Sequence, residues 1–362
     1  MALNLKVNLR ENSYKIVIGS DILQNIGQEL RTLGLSGDAL VITHPILKKL
    51  YGKALIKSLS SEGFAVNFFE VPEGEKSKSA KTYVALLEKI AKFDVNKNIF
   101  IVAFGGGVVG DLSGFVAATY RRGVPYIQVP TTLLAQIDSA IGGKTAIDLA
   151  VGKNLVGAFF QPKLVYSDVR VLESLDQRQI RNGLAEAVKY GVISDRRLFD
   201  YIARNVAMLL NSDAKILSEI VYQCSRIKAK VVEQDEKETK GIRTILNFGH
   251  TVGHAVEAGG KFKIYHHGES VALGMRVAAE LSVRLKYLTP KEAAVLGGVL
   301  TDIGLPEKIK GMKMSVILNH MMHDKKFKSG KLRFVLATGL GTVKVVEGIP
   351  LSDIKAAIQS YL

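Results

Sequence analysis

Apolar and polar residues alternate at the start of this chain. Leu3, Leu5, Val7 and Leu9 stand between polar neighbours, and residues 15–18 continue the pattern as strand. Ser20 or Asp21 then offers a cap for a helix running to about Leu33. From there the period switches back and forth. Residues 39–43 are a short apolar strand ending at His44-Pro45, 46–60 repeat with helical spacing until Gly63, and 64–71 read as strand. A polar loop occupies 72–78 and a helix 79–93. Residues 99–104 are an uninterrupted apolar run, the mark of a buried strand, and a helix-like segment spans 111–120. Residues 164–168 supply a last strand. Strands alternating with helices predict a mostly parallel sheet covered by helices, with ligands bound beyond the carboxyl ends of the strands.

The second half changes character. Helical periodicity dominates at 177–194, 196–210, 214–233, 244–258, 269–287, 291–303 and 351–362, while 331–346 reads as two strands around a glycine turn. The expected organisation is an α/β domain with a Rossmann-like, mostly parallel sheet over residues 1–174, followed by a mainly α-helical domain over 175–362. There is no internal repeat and no low-complexity segment.

Composition narrows the class. A chain of 362 residues with 47% hydrophobic content can build large or paired cores. No stretch is long and apolar enough to suggest a membrane span, and the N-terminus lacks a signal peptide's apolar core. The single cysteine, Cys224, excludes an intrachain disulfide framework and fits a reducing, cytoplasmic setting. The net charge of +15 is spread along the whole chain, and the densest basic run, 325–331, lacks interleaved aromatics beyond Phe327. Nucleic acid is therefore not the expected partner, and small anionic ligands explain a positive cleft better.

The candidate chemistry begins where the 99–104 strand runs into Gly105, Gly106, Gly107 and Gly110, with Asp111 following. A glycine turn between strand and helix presents backbone N–H groups and a helix N-terminus, which favour phosphate. Such a turn also serves as a plain tight connection, and no acid stands at the spacing expected for a ribose hydroxyl. The next stretch is more specific. Thr131, Thr132, Asp138, Lys144, Lys153 and Asn154 crowd a glycine-rich segment suited to a polyhydroxylated, phosphorylated ligand beside a nucleotide.

Histidines supply a second theme. His250 and His254 lie four apart and share a helix face, but Thr251 stands where a zinc protease needs its glutamate. Local spacing leaves His250, His254 and Glu257 as a ligand set, or a merely structural pair. Glu186 and Lys189, three apart, face the same side of one helix, as an ordinary salt bridge also would.

Taken together, GGGVVGDLSGF, YRRGVPYIQVPTTLLAQIDSAIGGKTAID, GKNLVGAF, GLAEAVKYG, LNFGHTVGHAVE and HHGESVALGM, in this order between Gly105 and Met275, resemble the 3-dehydroquinate synthase family of sugar-phosphate cyclases. The resemblance implies a carbon–oxygen lyase of the shikimate pathway acting on a phosphorylated seven-carbon keto sugar acid. Transient oxidation with catalytic NAD, phosphate elimination, reduction, ring opening and aldol closure would follow in turn. It places Glu75, Lys78, the glycine turn, Asp111, Thr131, Thr132, Asp138 and Lys153 around NAD, with His44 where the family often carries Asp or Asn. It implies Zn2+, with Co2+ as an alternative, held by Glu186, His250 and His267, and leaves His254 nearby but off the ion. His266 competes with His267, which is preferred for directly preceding Gly268-Glu269.

The resemblance further implies that Arg122, Lys144, Asn154 and Arg243 address the phosphate or adjacent oxygens, while Lys144, Lys189 and Lys228 address the carboxylate and ring hydroxyls. Asn247 and His254 would hydrogen-bond substrate oxygens, and Lys325 or Lys326 would close over the substrate. A homodimer is the expected assembly. The rival readings are another cyclase of inosose or valiolone type, a metal-dependent glycerol-type dehydrogenase, and a basic binding module.

Overall fold

The computed structural model describes residues 2–95, 97–323 and 332–362. Among them no helix is long and apolar enough to cross a membrane. The chain divides into two compact units, one of residues 1–175 with 217–237, the other of residues 176–216 with 238–362. The segment Leu217–Lys237 thus joins the first unit, although it lies well inside the half that the sequence assigns to the helical domain.

The first unit is built on a seven-stranded sheet. Its strands are β1 (Leu3–Val7), β2 (Tyr14–Gly19), β3 (Asp38–Thr43), β4 (Val66–Glu70), β5 (Ile99–Gly105), β6 (Tyr126–Pro130) and a late strand, Leu164–Asp168. Between β6 and that strand comes a separate antiparallel hairpin, β7 (Lys144–Leu149) with β8 (Gly152–Phe159), so the late strand is β9. The order is β1-β2-β9-β6-β5-β3-β4, parallel except for the β1–β2 pair at one edge.

Helices cover both faces because the strands are apolar on both. All seven residues of β5 are buried. Phe100, Val102 and Phe104 pack toward α1 (Ile26–Thr32) and α2 (Pro45–Ser60). Ile99 and Ile101 pack toward α3 (Ala80–Phe93) and α4 (Gly107–Thr119). That is the period-2 consequence of the pleat. Strand order reverses beside β3 and β5, so their carboxyl ends open a crevice of the kind that binds nucleotides.

The second unit is helical. It contains α5 (Gln177–Ser194), α6 (Arg196–Arg204), α7 (Val206–Leu210), the start of α8 (Ala214–Gln234), α9 (His250–Gly259), α10 (His267–Arg284), α11 (Pro290–Asp302), α12 (Met314–His323) and α13 (Leu351–Gln359). The expected hairpin is present as β10 (Arg333–Gly339) and β11 (Thr342–Glu347). Nearly every residue of α10 from Gly268 to Ser282 is buried, so it is the unit's central rod.

Two expected helices are broken. The 196–210 segment divides at Asn205 into α6 and α7. The 244–258 segment becomes a 3-10 turn, Ile242–Asn247, and a separate α9. The cause of the second break is Gly249, which turns left-handed at φ 79° and packs where a Cβ would stand 2.8 Å from the Val271 carbonyl oxygen. The sequence reading anticipated neither α12 nor the β7–β8 hairpin.

Candidate functional site

In the first unit the glycine turn sits at the crevice. β5 ends at Gly105, whose carbonyl accepts from Thr131 N at 3.0 Å, and α4 begins at Gly107 with no side chain capping it. The N-cap position is Gly106, which has no side chain to take the first amides of α4, the arrangement of helix N-termini that bind phosphate. The backbone lies close to its neighbours here. A Cβ on Gly106 would meet Thr132 Cγ2 at 3.0 Å, and one on Gly107 would meet Ser139 Oγ at 2.9 Å. A Cβ on Gly110 would meet Gln128 at 2.8 Å.

Lys78 ties three elements together. It is 4% exposed, and its Nζ donates to Asp111 Oδ2 on α4 at 2.5 Å and to Asn154 Oδ1 on β8. Burial pushes the Asp111 carboxyl above its ordinary range, with Lys78 opposing the rise. Asn154 adopts φ 56°, held by its own N–H donating to Asp148 Oδ1 at 2.8 Å. Lys153 lies 3.6 Å from Glu75, bridging the hairpin to the loop after β4. Lys144 opens β7 opposite Phe159.

The stretch after Thr131-Thr132 winds into a π-helical turn, Ala135–Ser139, a geometry frequent at functional sites. It turns Asp138 toward α8, where Lys228 Nζ donates to Asp138 Oδ1 at 2.5 Å and to its carbonyl at 2.6 Å. This explains why 217–237 travels with the first unit.

Arg122 and His44 lie outside these contacts. Arg122 closes the 3-10 turn that follows α4, at the helix end away from the glycine turn. His44 Nδ1 donates to the Val71 carbonyl at 3.1 Å. The Lys325 or Lys326 expectation lies outside the described residues.

In the second unit the structure brings Glu186, His250 and His267 together, with one ligand atom from each inside a 4.8 Å group. Three close backbone approaches make this geometry. A Cβ on Gly274 of α10 would stand 1.8 Å from the Gly249 carbonyl oxygen, and one on Gly253 of α9 would stand 2.9 Å from that of Ser270. A Cβ on Gly268 would stand 2.1 Å from the Asn182 carbonyl oxygen on α5. Glycine alone lets these helices touch, and contact brings the three ligand-type side chains into range.

Each imidazole is oriented by its other nitrogen. His250 Nδ1 donates to the Phe248 carbonyl at 3.1 Å, leaving Nε2 3.4 Å from Glu186 Oε1. His267 Nδ1 donates to Glu257 Oε2 at 3.3 Å, leaving Nε2 3.5 Å from the same Glu186 oxygen. An acceptor behind a metal-binding imidazole fixes its tautomer in this way. Burial holds His250 well below its ordinary value, so it offers a lone pair. Burial also opposes charge on His267, yet the Glu186 and Glu257 carboxylates outweigh it and raise the imidazole to about 10. The site favours positive charge at this point.

A second grouping, His254, Glu257 and His267, is also close enough to hold an ion. It is less buried, and Glu257 there already accepts the Nδ1 proton of His267. Lys189, 2% exposed, pairs with Glu186. Arg243, buried, and Asn247 belong to the 3-10 turn that leads into α9, and the His254 ring stands 5.1 Å from that of His250. Sequence reasoning weighed Glu257 only as a ligand and missed Arg178 and Asn182, whose signal is their spacing of eight and four residues before Glu186.

Comparison with known proteins divides the chain near the same point as the two units, at 182/183. Residues 68–182 match the family model described as 3-dehydroquinate synthase N-terminal, and 183–327 match 3-dehydroquinate synthase C-terminal. The 3-dehydroquinate synthase of Pelobacter propionicus is 45% identical over 342 residues, covering 94% of this chain and 95% of that one. The 2-epi-5-epi-valiolone synthase of Streptomyces hygroscopicus subsp. jinggangensis, solved with NAD+ and Zn2+ bound, superposes with a TM-score of 0.88 at 26% identity over 98% of both chains. A 2-deoxy-scyllo-inosose synthase complexed with carbaglucose-6-phosphate, NAD+ and Co2+ gives 0.90 at 25% identity, covering 99% of this chain and 100% of that one.

Proposed function

This chain belongs to the 3-dehydroquinate synthase family, and from that membership we propose that it converts 3-deoxy-D-arabino-heptulosonate 7-phosphate to 3-dehydroquinate and phosphate. NAD would serve as a catalytic cofactor, and Glu186, His250 and His267 would hold a divalent ion, Zn2+ or Co2+. The observation that carries the metal assignment is the convergence of those three side chains with both imidazole Nδ1 atoms engaged elsewhere. Two imidazoles and a carboxylate leave coordination positions for substrate oxygens.

When bound, the ion supplies a Lewis-acid contact for the hydroxyl that is oxidised, and the dinucleotide supplies the hydride acceptor. The chain's own residues do the rest. The glycine turn and the first amides of α4 receive the dinucleotide phosphates, and Thr131, Thr132 and Asp138 line its path. Lys78 and Asp111 brace the wall of that site, with Glu75 and Lys153 at its rim.

Lys144, Asn154 and Arg243 bind the substrate phosphate. Lys189 and Lys228 bind the carboxylate and ring hydroxyls, each already held beside a carboxylate, so its ammonium is in place before substrate arrives. Asn247 and His254 exchange hydrogen bonds with ring oxygens. No protein base is assigned to the elimination, because the departing phosphate removes the neighbouring proton as the carbon–oxygen bond breaks. The net charge of +15 draws both anionic ligands in. The same reading carries a cytoplasmic homodimer, checked by light scattering of the purified chain.

The test is phosphate release from the heptulosonate phosphate by metal-loaded protein with substoichiometric NAD, with NADH absorbance followed in parallel. Many phosphates released per NAD, no NADH build-up and loss on chelation are expected. Steady NADH accumulation or no phosphate release overturns the reading.

A further inference from the structure

The first turn of α10 is docked on α5 by a ladder of three contacts. Arg178, Asn182 and Glu186 stand one helical turn apart on α5, and they meet Glu269, Gly268 and His267 in that order. Arg178 grips Glu269 with both prongs, Nε to Oε1 at 2.7 Å and Nη2 to Oε2 at 2.8 Å. Asn182, 6% exposed, accepts the Gly268 N–H through Oδ1. Glu269 also accepts from His266 N at 2.7 Å, which closes the helix end.

The ladder matters because His266 and His267 are neighbours. A slip of one residue turns a helix by about 100° and would aim a different imidazole at Glu186. Gly268 removes the other degree of freedom, since any Cβ there would collide with the Asn182 carbonyl oxygen at 2.1 Å. We propose that Arg178 and Asn182 are positioning residues that set the register of α10, so that His267 presents Nε2 to the metal beside Glu186.

This inference rests on the metal reading above, and its test separates the two. Cobalt is titrated into the full-length parent, Asn182→Ala, Asn182→Asp and Arg178→Gln, with affinity read by chelator competition and geometry by the cobalt d–d absorption. Apo stability is measured alongside. Asn182→Ala is expected to weaken cobalt binding about 10–100-fold, as loss of outer-shell support does, and to alter the d–d bands. Asn182→Asp, which keeps the acceptor, restores most of the affinity. If Asn182→Ala does not fold, Arg178→Gln carries the same two readouts from a half-exposed position. A lowered melting temperature with unchanged affinity and spectrum means that the ladder is only structural, and overturns the proposal. A parent that takes up no cobalt overturns the metal reading, and the ladder's role with it.

Discussion

His267 gives its Nδ1 proton to Glu257, 3.3 Å away, and this contact decides what its other nitrogen faces. A carboxylate can only accept, so Nδ1 keeps its proton there, and a metal ion beside Glu186 would take the place of the Nε2 proton. Glu257→Ala is expected to weaken zinc or cobalt binding about 10–100-fold. Glu257→Gln should fall between, because its amide oxygen keeps the acceptor and loses the charge. Chelator competition on the three proteins checks this, and equal affinities would end the assignment.

The contact of α9 with α10 depends on Gly274. An alanine there puts its Cβ 1.8 Å from the Gly249 carbonyl oxygen, with no flexible side chain to yield. Forcing atoms into such a site costs about 1–3 kcal/mol or more. Gly274→Ala should therefore lower the thermal midpoint and draw His250 away from His267, with metal affinity falling too. Gly298 on α11 is the control, since nothing lies within 4 Å of a Cβ there. Gly298→Ala should be neutral or stabilise by about 0.4–1 kcal/mol. Similar behaviour of both variants in unfolding experiments would refute the packing argument.

How much of this was legible in advance depends on how local the signal is. β5 and β3 show themselves because burial on both faces demands uninterrupted apolar runs. The β7–β8 hairpin carries no such mark, since it forms a separate two-stranded sheet, bridged at Asp148 to Ser79, and much of β8 is exposed. Glu186 is distant in sequence from both histidines, so only the resemblance singled it out. The spacing of His250 and His254 pointed to an adjacent pair of ligands. The fold instead turns the Nε2 of His250 toward α5, because Gly249 breaks the expected helix, which restarts at His250. Arg122 shows how far a rigid helix separates neighbours in sequence: it follows α4, at the end away from the glycine turn.

Acid should loosen the α5–α10 junction. Burial alone would raise the Glu269 carboxyl, but the Arg178 fork and the His266 N–H outweigh it and hold the group below 4.5. A depressed folded value means that stabilisation is complete above the unfolded value of about 4.5 and is lost as pH falls through the lower folded value. Arg178→Gln removes much of that depression. Between neutral pH and pH of about 3, its unfolding midpoint in urea should fall less than the parent's. Parallel declines would show that the pair contributes nothing to acid sensitivity.

Lys78 and Asp111 should prove coupled. Lys78→Met leaves the Asp111 carboxylate and the Asn154 amide, both packed against the old ammonium, without their donor. A buried polar group stripped of its partner costs about 1–3 kcal/mol. The Asp111 carboxyl, already pushed up by burial, then loses the one neighbour that opposes the rise most. Adding Asp111→Asn to Lys78→Met removes the stranded charge, so the double variant should be destabilised by less than the sum of the singles. Urea unfolding of the four proteins measures the coupling, expected at about 0.5–3 kcal/mol for residues in contact. NAD affinity, read from the quenching of protein tyrosine fluorescence, should follow the same order, because this cluster braces the wall of the proposed dinucleotide site. Additive energies would mean that Lys78 and Asp111 act independently, and that the wall is held by the hairpin alone.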